Sequence, residues 1–367
     1  MELKPNNPLL LGAAVLIIFL AIAYVESTKA QMKNEFVGQL DGDNATKQGL
    51  FPKAPELSGI EGYINAPEGF RLSDIRGKVV LVDFWTYSCI NCIRTLPYLT
   101  AWDEKYRDDG LVIVGVHTPE FEFEKEYANV LAAVEKHGIK YPVVLDNGFS
   151  TWRAYNNRFW PHKYLIDADG FIRYDHIGEG AYGETEEMIQ KLLAERDAKV
   201  EMGGLVSENI TEETPTQATT PEKYLGYSFA LPRGQNIGNA GGLKPGETAD
   251  YSLPASYQPH VVYLDGSWKS EPEYVELASE TGKVVLKYRA RNVNIVAEGD
   301  STLSITLDGS VPEGALGGDV KIAGGKATAG VSEERLYSIV EDEGYSEKTL
   351  EMDVSGKGFR LYTFTFG

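Results

Sequence analysis

The chain is predicted to be multidomain: an α/β unit followed by an all-β sandwich, behind one N-terminal transmembrane helix. Three observations carry this expectation. Apolar runs such as "KVVLVDFW" (78–85) and "LVIVGVH" (111–117) alternate with stretches of helical period, as in a sheet covered by helices. Beyond residue 222, short β-rich runs follow one another between Gly- and Asp-containing turns, the pattern of a sandwich or jelly roll. Residues 9–25, "LLLGAAVLIIFLAIAYV", are apolar without interruption.

As a helix, that apolar segment would span roughly 26 Å, at the short end of the lengths that cross a hydrocarbon core. Residues 1–30 are therefore read as a retained anchor. The alternative is a secretory signal cleaved after Ala21-Ile22-Ala23, with the mature protein secreted. Either way, everything from about residue 30 onward is expected on the extracytoplasmic side. Residues 31–54 are polar and lack an apolar period, and read as a tether.

The α/β unit is placed at 55–199. Within it, 78–85 reads as a strand buried on both faces, and 89–106 as a helix with Leu96, Leu99 and Trp102 at helical spacing. A second buried strand follows at 111–117 and a helix at 124–137, with Gly138 suited to its C-terminal cap. The run 141–146 is a short strand. Residues 162–178 form a hairpin turning at Asp169-Gly170, and a helix at 184–199 closes the unit. Residues 200–222 are rich in Thr, Glu, Gly and Pro and read as a linker. In the β unit, 223–367, eight runs read as separate strands, among them "KVVLKYRA", "NVNIVAE", "RLYSIVE" and "KTLEMDV". Asn44 and Asn209 head glycosylation sequons in the tether and linker.

The only two cysteines are Cys89 and Cys92, spaced C-x-x-C. A disulfide between them closes almost no loop, so it adds little as a staple. A structural zinc site needs about four ligands, and there is no second cysteine pair; no metal site is assigned. His162 and His117 are the histidines expected nearest the thiols, where transient metal binding would involve them. The strand-to-helix position of Cys89 exposes it to unpaired backbone N–H groups and the positive end of the helix dipole, which favour thiolate over thiol. Cys92 follows about one turn later, where it can close a disulfide with Cys89. The pair then reads as attacking and resolving thiols. Asp83 lies within the buried strand. Burial should raise its pKa, and a carboxyl group so tuned can accept the proton of Cys92.

At these residues the chain resembles the thioredoxin superfamily. "GKVVLVDFWTYSCINC" is similar to the extracytoplasmic TlpA-like branch and closer still to DipZ-type proteins. The likeness extends through "GVHTPEFEFEK", "WPHKYLIDADG", "LKPGETADYSLP" and "YTFTFG", over residues 50–367. It implies Cys89 as nucleophile, Cys92 as resolving thiol and Asp83 as the buried acid. It also implies that Trp85 packs beside the disulfide and that Trp160-Pro161 carries the cis-proline facing it, where a substrate strand can pair. Ser88, Ile90 and Asn91 are then the positions that tune the redox potential. Thr95 stands where cytochrome-maturation members often place Glu, which argues against that specific role. The resemblance implies protein disulfide substrates, no cofactor beyond the Cys89–Cys92 disulfide, and electrons from a separate membrane donor of the CcdA/DsbD type. It also implies a carbohydrate-binding-module-like second domain with a possible glycan ligand. Tyr251, Tyr257, Tyr263, Trp268, Tyr274 and Tyr288 are its candidate stacking platforms, although most are expected in the core.

The formal net charge of −19 argues against nucleic-acid binding, which needs a basic footprint. The peroxidase frame P-x-x-x-T-x-x-C is absent. The rival reading is a cell-surface carbohydrate- or protein-binding protein whose C-x-x-C is redox-inert.

Overall fold

The structure, a computed structural model, describes residues 44–199 and 203–367. The apolar segment 9–25 lies outside the described residues; among them, no helix is long and apolar enough to cross a membrane.

The first domain is built on a six-stranded sheet. Its strands are β1 (Gly62–Ile64), β2 (Val79–Trp85), β3 (Leu111–His117), β4 (Val143–Leu145), β5 (His162–Ile166) and β6 (Ile172–Ile177), in the order β1-β4-β3-β2-β5-β6. β2, β3 and β4 are mutually parallel, and β5 runs antiparallel to β2. Strand alternation sorts β2 onto two faces. Val80, Val82 and Phe84 join one buried cluster. Leu81 and Trp85 join the other, together with Cys92, Leu96, Leu99 and Trp102 of the following helix. Asp83, between Leu81 and Trp85 in the alternation, therefore faces that helix.

The helices are α1 (Asn44–Leu50), α2 (Ile90–Tyr106), α3 (Tyr127–Lys136), the short α4 (Ser150–Ala154) and α5 (Tyr182–Arg196). The expected helix at 124–137 begins instead as a tight turn over Glu122–Lys125. The tether, expected to reach residue 54, is docked from α1 onward. Lys47 reaches Asp169 at 2.7 Å and Asp167 at 3.2 Å, and Lys53 bridges to Phe171 on the backbone. β1 and α4 are too short to show a period in sequence.

The second domain is all-β, with β7 (Lys223–Tyr224), β8 (Thr248–Tyr251), β9 (Val262–Ser270), β10 (Val275–Leu277), β11 (Thr281–Glu298), β12 (Ser301–Leu307), β13 (Lys321–Ala323), β14 (Lys326–Val331), β15 (Arg335–Ser355) and β16 (Arg360–Phe366), plus one helical turn, α6 (Tyr227–Ala230). Two pairs of expected strands merge. "KVVLKYRA" and "NVNIVAE" are the single strand β11, of 18 residues, and "RLYSIVE" and "KTLEMDV" are β15, of 21. At about 3.3 Å per residue each is long enough to change partners along its length. β11 pairs β9 at Lys283–Leu286 and β16 at Val293–Glu298, with a register shift between Ala290 and Asn292 against β15. The ten strands thus form one continuous sheet, folded over a single core, rather than two separate ones. Tyr251, Trp268 and Tyr288 lie in that core and Tyr263 is 3 % exposed, which removes them as stacking platforms.

The two domains share apolar packing. Phe121 and Phe123, in the loop after β3, meet Tyr362 of β16 at ring-centroid distances of 5.1 and 4.9 Å. Tyr274 packs on the same Tyr362 at 5.0 Å. Val296 and Tyr362 belong to the helix-side cluster of the first domain. The expected linker is likewise fixed. Buried Glu186 of α5 accepts hydrogen bonds from the backbone N–H groups of Val206 and Ser207, and the backbone N–H of Thr220 donates to Arg289. Two carboxylate oxygens facing two adjacent backbone donors give this polar segment a defined course.

Candidate active site

β2 ends at Trp85, and after three intervening residues the chain enters α2 with Cys89 as its N-cap. In this position the Cys89 sulfur accepts a hydrogen bond from the Cys92 backbone N–H at 3.3 Å. The unpaired donors of a helix N-terminus suit a sulfur anion there. Cys89 is half-buried, while Cys92 is 1 % exposed. Burial pushes the Cys92 thiol well above its ordinary value, and the hydrogen bond with Cys89 and the neighbouring charges of Cys89 and Asp83 add to the rise. The two thiols thus differ as an attacking and a resolving thiol must: one is open, the other is held protonated inside.

Asp83 is 1 % exposed, and its Oδ1 has no hydrogen-bond partner among the described residues. Burial pushes its carboxyl up to about 7, with the positive charge of Lys163 opposing the rise. Lys163 was not foreseen as a site residue. It is the direct cross-strand neighbour of Asp83, it too is 1 % exposed, and its Nζ donates to the Gly178 carbonyl at 3.0 Å. Burial lowers its pKa, while Asp83 and Cys92 act to raise it. The available signal was a lysine inside the otherwise apolar run "KYLI".

Ser88 is buried, and its Oγ donates to Glu124 Oε1 at 2.6 Å. The other carboxylate oxygen accepts from the backbone N–H groups of Glu120 and Phe121 at 2.5 and 3.0 Å. Glu124, also missed in sequence, so ties the nucleophile's turn to the loop that holds the second domain. Asn91 accepts from Arg94, which grips Glu179 through two hydrogen bonds of 2.7 and 2.9 Å. Ile90 and Asn91 border the space in front of Cys89.

The Trp160–Pro161 peptide is cis, and the Trp160 carbonyl oxygen lies 4.0 Å from the Cys89 sulfur. The Trp160 indole donates to the Thr118 carbonyl. Trp85 is fully buried with its ring edge-on to His117. Of the two histidines considered for metals, His162 commits both ring nitrogens, to Asn157 and Asp175, and His117 is buried against Thr86. Among the described residues no cluster of three or more His, Cys, Asp or Glu could hold a metal ion.

The Cys89 sulfur opens into a cleft of about 290 Å³. One wall is the start of α2 with Trp160. The other belongs to the linker and to β16, through Thr219, Glu222, Thr363 and Thr365. The second domain therefore forms part of the cleft that Cys89 lines.

Residues 53–175 match the AhpC/TSA family, and residues 220–367 match the family described as thioredoxin like C-terminal domain. Protein DipZ of Mycobacterium tuberculosis is 35% identical over 345 residues, covering 94% of this chain and 46% of that protein. The chain thus spans about half the length of that relative. Thiol-disulfide oxidoreductase ResA of Halalkalibacterium halodurans is 30% identical over 137 residues, 37% of this chain and 70% of that protein. Thiol-disulfide oxidoreductase YkuV of Bacillus subtilis is 29% identical over 143 residues, 39% and 95% of the two chains.

Proposed function

Since the chain belongs to the thioredoxin superfamily, as a member of its DipZ-type thiol–disulfide oxidoreductases, we propose that it reduces disulfides of protein substrates on the extracytoplasmic side of a membrane. The observation that carries this reading is the asymmetry of the thiols: an accessible N-cap Cys89 and a buried Cys92 one turn behind it, on the sheet face that holds Asp83. Cys89 attacks a substrate disulfide. A Cys89–substrate bond forms, the substrate S–S bond breaks, and the departing sulfur takes a proton from water. Asp83 then accepts the Cys92 proton, and Cys92 attacks Cys89. The Cys89–Cys92 disulfide forms, the second substrate sulfur leaves, and two electrons have passed to the substrate. No cofactor beyond that disulfide is needed.

The extracytoplasmic placement rests on the apolar segment 9–25 as an anchor. Electrons to reopen the Cys89–Cys92 disulfide would come from a separate membrane donor of the CcdA/DsbD type. The reading is tested by incubating the purified chain, reduced, with a disulfide-bonded protein. Release of substrate thiols that disappears in Cys89→Ser supports it. No exchange, or exchange unchanged in Cys89→Ser, contradicts it.

A further inference from the structure

The cleft in front of Cys89 has an uneven charge balance. Arg94 is the only Lys or Arg among its lining residues, and its guanidinium is committed to Glu179. Two other carboxylates line the cleft, Glu120 from the loop after β3 and Glu222 from the end of the linker. The Tyr224 hydroxyl bridges them, 2.6 Å from Glu120 Oε1 and 3.0 Å from Glu222 Oε2. A hydroxyl has one proton to donate, so it satisfies one carboxylate at a time. The charged groups that bear on the pair are Glu124 from behind and Arg233, which stacks on the Tyr224 ring at 4.4 Å. Arg233 is exposed and outside the cleft lining. Burial and the charge of Glu222 together push the Glu120 carboxyl up to about 8, so near neutral pH the two carboxyl groups share a proton that an incoming cation would displace.

A second, independent feature points to a ligand. Thr365 of β16 lines the same cleft, is 4 % exposed, and its Oγ has no hydrogen-bond partner among the described residues. A buried hydroxyl is costly to leave unmatched, and a backbone N–H or C=O of a chain lying in the cleft would match it.

We propose that this cleft selects disulfide-bearing segments that carry a lysine or arginine beside the cysteine, with Glu120 and Glu222 receiving the cation and Thr365 meeting the segment's backbone. The inference rests on the oxidoreductase reading and adds the substrate class. It gives the linker and the second domain a defined task, since Glu222 lies at the end of the linker and Thr365 on β16.

The test compares two disulfide-linked peptides that differ only in the residues flanking the cysteine, Arg in one and Glu in the other, reacted with the full reduced chain at low salt. The expected result is a preference of about tenfold in kcat/KM for the Arg peptide. It should fall to within about twofold in Glu120→Gln/Glu222→Gln. It should persist in Glu313→Gln/Glu343→Gln, which removes the same charge from exposed positions outside the cleft lining. Glu222→Gln alone, at an exposed position at the end of the linker, should lower the preference by about threefold or more and serves as the second variant should the double cleft variant misfold. Equal rates for the two peptides, or a preference that survives Glu120→Gln/Glu222→Gln in folded protein, would overturn the inference alone. No exchange with either peptide would overturn the oxidoreductase reading and this inference with it.

Discussion

Asp83 on β2 and Lys163 on β5 are direct cross-strand partners, each 1 % exposed. Strand alternation puts Asp83 with Leu81 and Trp85, and Lys163 with Leu165, on the face that carries Cys92. A carboxyl group alone there would stay protonated over a wide pH range. The nearby ammonium opposes that rise and leaves the carboxyl at about 7, where it can both accept and give up a proton near neutral pH.

Asp83→Asn removes the proton acceptor for Cys92 and leaves Cys89 in place. The first exchange step should keep its rate, while the resolving step slows by about 10²-fold or more. Stopped-flow measurement of the mixed disulfide should show it accumulating in the variant and not in the parent chain.

The same substitution should affect stability with a definite pH dependence. The folded pKa of Asp83 is raised from 3.8 to about 7. Its favourable contribution is therefore complete below about pH 4 and is lost as pH rises through 7. Asn carries no such penalty. Asp83→Asn should stabilise the protein by about 2–4 kcal/mol at pH 8, at about 1.4 kcal/mol per pKa unit, less what Lys163 loses with its partner. At pH 4 it should stabilise little. Denaturant unfolding at the two pH values checks this.

Lys163→Met removes the charge that holds the Asp83 carboxyl down. The pH midpoint of the resolving step should move upward by about one unit, with Cys89 alkylation unchanged. A pH–rate profile reads the shift, which a purely structural loss would not produce.

How much of this was legible in sequence follows from distance along the chain. β2, the N-cap cysteine and the buried Asp83 are set by one local stretch, and each appears where the pattern of residues 78–106 places it. Lys163 and Glu124 were missed because their roles depend on a cross-strand register and on a loop that folds back on Ser88. β11 was read as two strands, on either side of the charged Arg291. The structure carries the strand through it with a register shift. Residues 200–222 were read only as a linker because composition does not reveal that Glu186 holds the backbone of Val206 and Ser207.

The contact between the domains makes a separate prediction. Phe121 is 1 % exposed and meets Tyr362, Phe229 and Phe123. Phe121→Ala should cost about 3–5 kcal/mol and loosen the second domain from the cleft. Faster hydrogen exchange in the loop after β3 and in β16, together, would register it.

The central claim is that Cys89 is the attacking thiol and Cys92 the resolving one. It is tested most directly by reacting single-cysteine variants with a disulfide-bonded substrate and identifying the trapped complex by mass spectrometry. The account predicts that Cys92→Ser accumulates a stable mixed disulfide through Cys89, while Cys89→Ser traps none at neutral pH. Trapping through Cys92 in Cys89→Ser, at a rate comparable to that of Cys92→Ser, would contradict it.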